Sequence, residues 1–292
     1  MKEKTMATPR FTPRMLGELA IRLTERDRHL IRRIGEYRVL TSPQVTEMFF
    51  GTDDAARRRL LTLTRMGVLE RFRPNLPPAM GTAPYHYVIG ETAAAVLASE
   101  DGVDLADYGY RRDRVLSIAF SQKLAHTVGT NGFAASLYGS ARRDPDAEVL
   151  TWWPEARCAA EWGHTVRPDA YCRWRQGDNI MDFFLEYDTG TEPLDRVVRK
   201  LDRYAALTEA TRIVTPVLFW VQGERREINL RKKLKHHPAH MFVPIATAYP
   251  AVLDSEGPAG RRWAPSDYEG PPVRLAELAT YWPGLGPQPT TG

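Results

Sequence analysis

Between Leu23 and Ile89 the chain is punctuated by helix caps and turn residues at intervals too short for long helices. Leu23-Thr24-Glu25-Arg26-Asp27 opens a helix with Thr24 at its N-cap and Asp27 three residues on, the capping-box spacing. Leu30, Ile31, Ile34 and Tyr37 follow at helical spacing. Residues 39–43 start a second helix, capped by Ser42 with Pro43 at its first position, where the missing N–H costs nothing. It runs through Val45, Met48 and Phe49 to Gly51, and Thr52-Asp53-Asp54 caps a third helix that ends at Gly67. Residues 68–72 then read as a strand, 74–84 as a loop and 85–89 as the returning strand. Three short helices followed by a hairpin is the plan of a winged helix-turn-helix.

At 100° per residue the third helix puts Ala56, Leu60 and Leu63 on one face, with Arg58, Thr62 and Arg65 opposite and Arg57 and Arg59 on the flanks. Arginine forks on an exposed helix suit phosphate oxygens and guanine edges alike, and Arg71 on the first hairpin strand extends the set. The charge distribution agrees. Residues 1–90 hold 16 Lys/Arg against 9 Asp/Glu, whereas residues 91–292 hold 24 against 27, so a net charge of +4 hides a basic first third. A localised basic segment is the footprint of a polyanion binder, here double-stranded DNA. An ordinary solvated face, or a winged helix that binds protein, is the alternative.

Composition narrows the class. The 292 residues allow one large or two modest domains, and 43% hydrophobic with 26% charged residues is ordinary globular usage. No apolar run approaches the ~18 residues of a membrane helix, and the charged first residues lack the apolar core of a secretory signal. Cys158 and Cys172 with no C-x-x-C suit a reducing cytoplasm and exclude a zinc ribbon. No G-x-x-x-x-G-K-[ST] loop is present, which argues against an ATP motor.

The expected organisation is a flexible leader (1–20), the winged helix-turn-helix (21–100), a linker over 100–110, an α/β domain (111–253) and a Pro/Gly-rich tail (254–292). A long helix from 111 to about 138, apolar on several sides, predicts burial. Strands follow at 149–153, 166–175 and 180–188, then a helix over 192–210, a strand at 216–221, a basic helix over 224–236 and a strand at 241–248. The order α-β-β-β-α-β-α-β argues for a mixed sheet. With 7 Pro and 6 Gly in 39 positions, the tail is expected to be irregular, with one short helix near Leu275.

Alternation along the third strand sends Asp182, Phe184, Glu186 and Asp188 to one face. Carboxylates two residues apart on an apolar strand are costly to bury without a cation or donors. Asp169 in Arg167-Pro168-Asp169 offers a third. Such oxygens suit Mg²⁺, or Mn²⁺, held by Asp169, Glu186 and Asp188. Equally, Glu186 and Asp188 can form salt bridges to Arg173, Arg175 or the following helix. His126, the His236/His237/His240 group and Tyr204 are weaker candidates, and Trp152, Trp153, Trp162 and Trp174 suit packing better than base stacking.

Arg167-Pro168-Asp169-Ala170 followed by Phe183-Phe184-Leu185-Glu186-Tyr187-Asp188-Thr189-Gly190-Thr191-Glu192 resembles the signature of the replication-relaxation family, found on plasmids and other mobile elements. The Leu-Thr-x-Arg-Asp start and the helix over 57–67 resemble the winged helix of that family, and the resemblance spans roughly residues 23–250. The family is similar to the restriction-endonuclease-like, PD-(D/E)xK nuclease fold, with an α-β-β-β-α-β core, on which some relaxases are built. The resemblance implies catalytic roles for Asp169 and Glu186, but the lysine expected two positions after Glu186 is Asp188 here. In some relatives of the fold the following helix supplies that lysine instead. On helix 192–210, Lys200 borders the apolar stripe of Leu194, Val197, Val198, Leu201 and Ala205, whereas Arg196 lies farther round. The implied function is a mobile-element DNA-binding protein of replication initiation or DNA relaxation, nicking DNA with a metal, with other replication or conjugation proteins and a second copy of itself as partners. The alternative is a non-catalytic regulator whose nuclease-like domain is a docking or oligomerisation platform.

Overall fold

The computed structural model describes residues 21–77, 79, 81–250 and 256–282, with the single positions 12, 17, 19 and 285. The expected leader therefore lies outside the described residues apart from three positions. The chain divides into two compact units, Met1–Asn131 and Gly132–Gly292.

In the first unit, α1 (Glu25–Tyr37) begins at the predicted capping box: Asp27 N donates to the Thr24 hydroxyl, and Thr24 N to the Asp27 carboxylate. Helix α2 (Ser42–Phe49) is capped by Thr41 rather than by the expected Ser42. Gln44 N donates to the Thr41 hydroxyl and Thr41 N to Gln44 Oε1 at 2.9 Å, a second box that the Ser-Pro signal had masked. Leu40–Thr41 also forms a short strand, β1, which the sequence did not reveal. Helix α3 (Asp53–Arg65) starts at Thr52 as expected and buries Ala56, Leu60 and Leu63. Strands β2 (Leu69–Phe72) and β3 (His86–Ile89) form the antiparallel hairpin, with sheet order β1-β3-β2. Gly90 lets α4 (Glu91–Glu100) follow at once, because a Cβ there would stand 2.2 Å from the Gly67 carbonyl oxygen.

The helix expected from 111 to 138 is instead three pieces: α5 (Arg112–Leu116), a 3₁₀ turn (Ser117–Phe120) and α6 (Leu124–Arg143). Ser121 is extended, and its hydroxyl accepts from Lys123 N at 3.1 Å, a local bond that competes with helix. Phe120 is left 91% exposed, against the expectation of all-round burial. Ile118, Val115, Leu116, Leu124 and Val128 pack on Val39 and Val88. Arg112 Nε donates to Glu70 at 2.8 Å, and the buried Asn131 amide donates to the Tyr37 and Val39 carbonyls. Residues 111–131 therefore pack within the first unit.

The second unit is built on a six-stranded mixed sheet, order β4-β5-β6-β7-β8-β9. β4 (Ala147–Pro154), β5 (Ala170–Gln176) and β6 (Asn179–Asp188) are antiparallel. β7 (Val217–Val221) and β8 (Ile245–Ala248) continue parallel to β6, and β9 (Ala264–Pro265) runs antiparallel to β8. A further helix, α7 (Glu155–Trp162), outside the elements expected from the sequence, connects β4 to β5; its alanines favour helix, and Gly163 caps its end. The helix expected over 192–210 is split at Arg199 into α8 (Leu194–Val198) and α9 (Lys200–Thr211), and α10 (Glu224–Lys235) follows β7.

Alternation in β6 sorts the two cores. Phe183 meets Phe133 of α6, which also contacts Trp152, Trp220 and Trp263. Phe184 on the other face packs with Val197, Leu201, Tyr204, Leu207, Leu230 and Leu234 from α8, α9 and α10. The tail is more ordered than its composition implied. It supplies β9, a bridge between Trp263 and Val273, and a turn of helix, α11 (Leu278–Tyr281). Trp263 is fully buried and donates to the Pro258 carbonyl at 2.8 Å, so one large apolar side chain anchors a Pro/Gly-rich segment. The fold is thus mixed α+β. Among the described residues no helix is long and apolar enough to cross a membrane.

Candidate functional site

The predicted arginine face separates into inward and outward side chains. On α3, Arg58 and Arg65 are exposed and make no ion pair among the described residues. Arg57, also exposed, bonds Asp54 one turn back at 3.1 Å, and the Thr62 hydroxyl donates to the Arg58 carbonyl. Arg59 turns inward: its Nε donates to Asp27 Oδ1 at 2.8 Å, its terminal nitrogen to the other Asp27 oxygen and to the Arg22 carbonyl. Burial alone would raise the Asp27 carboxyl, but the bonds from Arg59 and Thr24 outweigh it and hold it below its ordinary value. In the hairpin, the Arg71 and Arg73 guanidiniums lie 3.9 and 3.8 Å from the Tyr85 ring centre.

In the second unit, strand pairing brings Asp169 beside the C-terminal part of β6. Asp169 N donates to the Leu185 carbonyl at 3.1 Å, and its carboxylate accepts from Tyr187 N at 2.8 Å. Glu186, 2% exposed, faces α9. Lys200 Nζ stands 2.5 Å from Glu186 Oε2, and the Tyr204 hydroxyl donates to Oε1 at 2.5 Å. Lys200 and Tyr204 are four apart, hence neighbours on one helix face. Desolvation, then repulsion from Asp169, pushes the Glu186 carboxyl up to about 7, although Lys200 and Tyr204 pull the other way. Burial lowers the proton affinity of the Lys200 ammonium, but Glu186 and Asp169 more than reverse this and leave it raised. The Tyr204 phenol is pushed well up by burial and by Glu186.

Asp188 takes a different partner. Arg226 of α10 grips both its oxygens and also donates to the Glu192 carbonyl at 2.6 Å, while Gly190 N bonds Asp188 Oδ1 at 2.9 Å. Asp188 therefore ties the turn after β6 to α10. Asp182 is likewise held by Arg173, directly opposite on β5, at 2.7 Å. His237 lies 3.5 Å from Asp202, and His240 bonds the His237 carbonyl.

Among the described residues no three His, Cys, Asp or Glu side chains gather into a group that could hold a metal ion. The donor set that remains is the mutually repelling pair Asp169 and Glu186. Two carboxylates are enough for Mg²⁺, which keeps several waters and takes the rest of its shell from phosphate. Each Glu186 oxygen has a second lone pair beside its hydrogen bond, so Asp169 and Glu186 are the residues that could hold a divalent cation. Tyr204 was noted in the sequence but not as the partner of Glu186; the i, i+4 spacing to Lys200 was the available signal.

Neither a curated protein nor a solved structure matches this chain. Residues 31–218, close to two thirds of the chain, match the family described as replication-relaxation. That span takes in α3, both acids and Lys200, and the chain belongs to the replication-relaxation family.

Proposed function

We propose that this protein binds duplex DNA through α3 and the β2–β3 hairpin, acting as a winged helix, and nicks DNA at Asp169, Glu186 and Lys200 during replication or relaxation of a plasmid or other mobile element. The observation that carries this reading is Lys200 on Glu186 beside Asp169. The lysine missing from the position of Asp188 is supplied by the next helix, as the resemblance to nuclease-like folds allows. Asp169 and Glu186 would hold a divalent cation, which would supply Lewis-acid polarisation of a phosphate when bound. Lys200 keeps its proton and offers positive charge to a phosphate oxygen; Tyr204 fixes the Glu186 carboxylate through Oε1. Arg58 and Arg65 provide phosphate or base contacts, while Arg59 is spent on Asp27.

A second reading, a non-catalytic DNA-binding platform, draws on one fact: both Glu186 oxygens already accept protein hydrogen bonds. Incubation of a supercoiled plasmid with the full chain and Mg²⁺ or Mn²⁺ separates them. Open circles should form with wild type and fall at least 100-fold with Glu186→Gln or Lys200→Ala, the order expected for losing one transition-state contact. Retained duplex binding without nicking under either cation would leave the platform.

A further inference from the structure

Four tryptophans on or beside the first strands of the large sheet divide by face. Trp152 and Trp174 are buried. Trp153 and Trp162, with Tyr171, are only half-buried and cluster on the other side, at centroid separations of 5.3 Å (Trp153–Trp162), 5.2 Å (Trp153–Tyr171) and 5.6 Å (Trp162–Tyr171). Trp162 meets Phe184 edge-on at 4.9 Å, and Phe184 meets Tyr204 at 5.4 Å, whose hydroxyl is on Glu186. A continuous run of rings thus leads from the Glu186 carboxylate to a partly open rim. Strand periodicity explains it. Asp169 and Tyr171 fall on one side of the chain at β5, Phe184 and Glu186 on one side of β6, and Tyr171 stands directly opposite Phe184.

Two arginines stand at this rim. The exposed Arg157 lays its guanidinium 4.7 Å over the Trp153 ring, and the exposed Arg167 bonds the Gly163 carbonyl at 3.3 Å. Neither makes an ion pair among the described residues. Rings serving only the core would be covered as Trp152 and Trp174 are. Half-open rings, one of them topped by the Arg157 guanidinium, instead combine the two elements that bind unpaired nucleic acid: aromatic faces for bases, and positive charge for the backbone.

We propose that Trp153, Trp162 and Tyr171, with Arg157, seat unpaired bases of single-stranded DNA next to the Asp169–Glu186–Lys200 site. This rests on the DNA-binding reading above and deepens it, because it names the substrate of the sheet unit as an unpaired strand. Bases within a duplex are stacked on one another and cannot present their faces to these rings. Arg157 slides from Trp153 to a phosphate as a base takes its place.

The test uses the full chain in chelator, so that its outcome is independent of cleavage, with fluorescein-labelled oligo(dT) and a labelled duplex as separate probes. Wild type should bind oligo(dT) with quenching of tryptophan fluorescence. Trp153→Leu, which keeps apolar bulk, should weaken that binding roughly 5- to 150-fold, the equivalent of about 1–3 kcal/mol for one stacked base. Trp153→Phe should recover most of it. Arg157→Glu, at an exposed position that leaves the fold intact, should also weaken oligo(dT) binding, while duplex affinity stays at the wild-type value in all three. Oligo(dT) affinity unchanged in both Trp153→Leu and Arg157→Glu overturns the proposal while leaving the duplex reading standing. Failure of wild type to bind either probe overturns both.

Discussion

Glu186 and Asp188 stand two residues apart on one face of one strand, and Arg58 and Arg59 are neighbours on one helix, yet in each pair the fates diverge. Asp188 and Arg59 are closed into ion pairs with Arg226 and Asp27. Glu186 is left with a lysine, a phenol and a nearby acid, and Arg58 with solvent. Chemical type and local spacing did not distinguish the members of either pair. What distinguishes them is which element packs opposite: α10 places an arginine at the end of β6, α9 places a lysine at Glu186, and α1 places a buried acid beneath one side of α3.

The largest expected effect tests the closed pair in the sheet unit. Arg226→Ala leaves the buried Asp188 with only the Gly190 amide and frees the Glu192 carbonyl, and should cost about 3–4 kcal/mol, near the usual range for breaking a buried pair. A denaturant melt within ~0.5 kcal/mol of wild type would show that Asp188 is not structural and would reopen it as a ligand.

The Glu186 carboxylate should announce itself in pH. With the Glu186 pKa raised to about 7 from an ordinary 4.5, the folded state binds this proton more tightly than the unfolded state does. Its contribution to stability is therefore full below about pH 4.5 and is lost as pH rises through about 7. Melts in chelator from pH 5 to 8 should show a fall on the order of 2–3 kcal/mol from this group, and Glu186→Gln should flatten it. A wild-type slope that persists in Glu186→Gln would assign the titration elsewhere. Asp188→Asn should leave the slope in place, which sharpens the contrast between the two acids.

The smallest effect separates neighbouring arginines. Arg59→Ala should lower stability by about 2 kcal/mol, discounted from the full buried-pair figure because Arg59 is partly exposed and Asp27 keeps Thr24. Arg58→Ala with Arg65→Ala should leave the melt within ~0.5 kcal/mol of wild type and weaken duplex binding by about 1–3 kcal/mol. Gel-shift titrations and melts of both variants check this; equal affinity in the double variant would take α3 out of the DNA interface.

Much of this was legible residue by residue. The Thr24–Asp27 box, the Thr52 cap and the buried stripe of Ala56, Leu60 and Leu63 follow from signals only a few residues long. Lys200 was legible for the same reason, since helical spacing set it on the edge of an apolar stripe. The misses share a cause as well. β1 is two residues long and exists only because β3 lies alongside; the break at Ser121 competes with an apolar pattern that favoured helix; Trp263 makes order out of a Pro/Gly-rich tail through contact with Phe133 and Trp220.

The sequence by itself determined where α1 and α3 start, that Ala56, Leu60 and Leu63 form an apolar face, and that Glu186 and Asp188 share one face of a strand. Only the tertiary structure decided how those charges are shared. An ion pair depends on which side chains meet in space, and Arg226 lies 38 residues beyond Asp188, Arg59 32 beyond Asp27. Desolvation likewise depends on the elements packed around a group, so the raised carboxyl of Glu186 exists only once α9 has closed over β6.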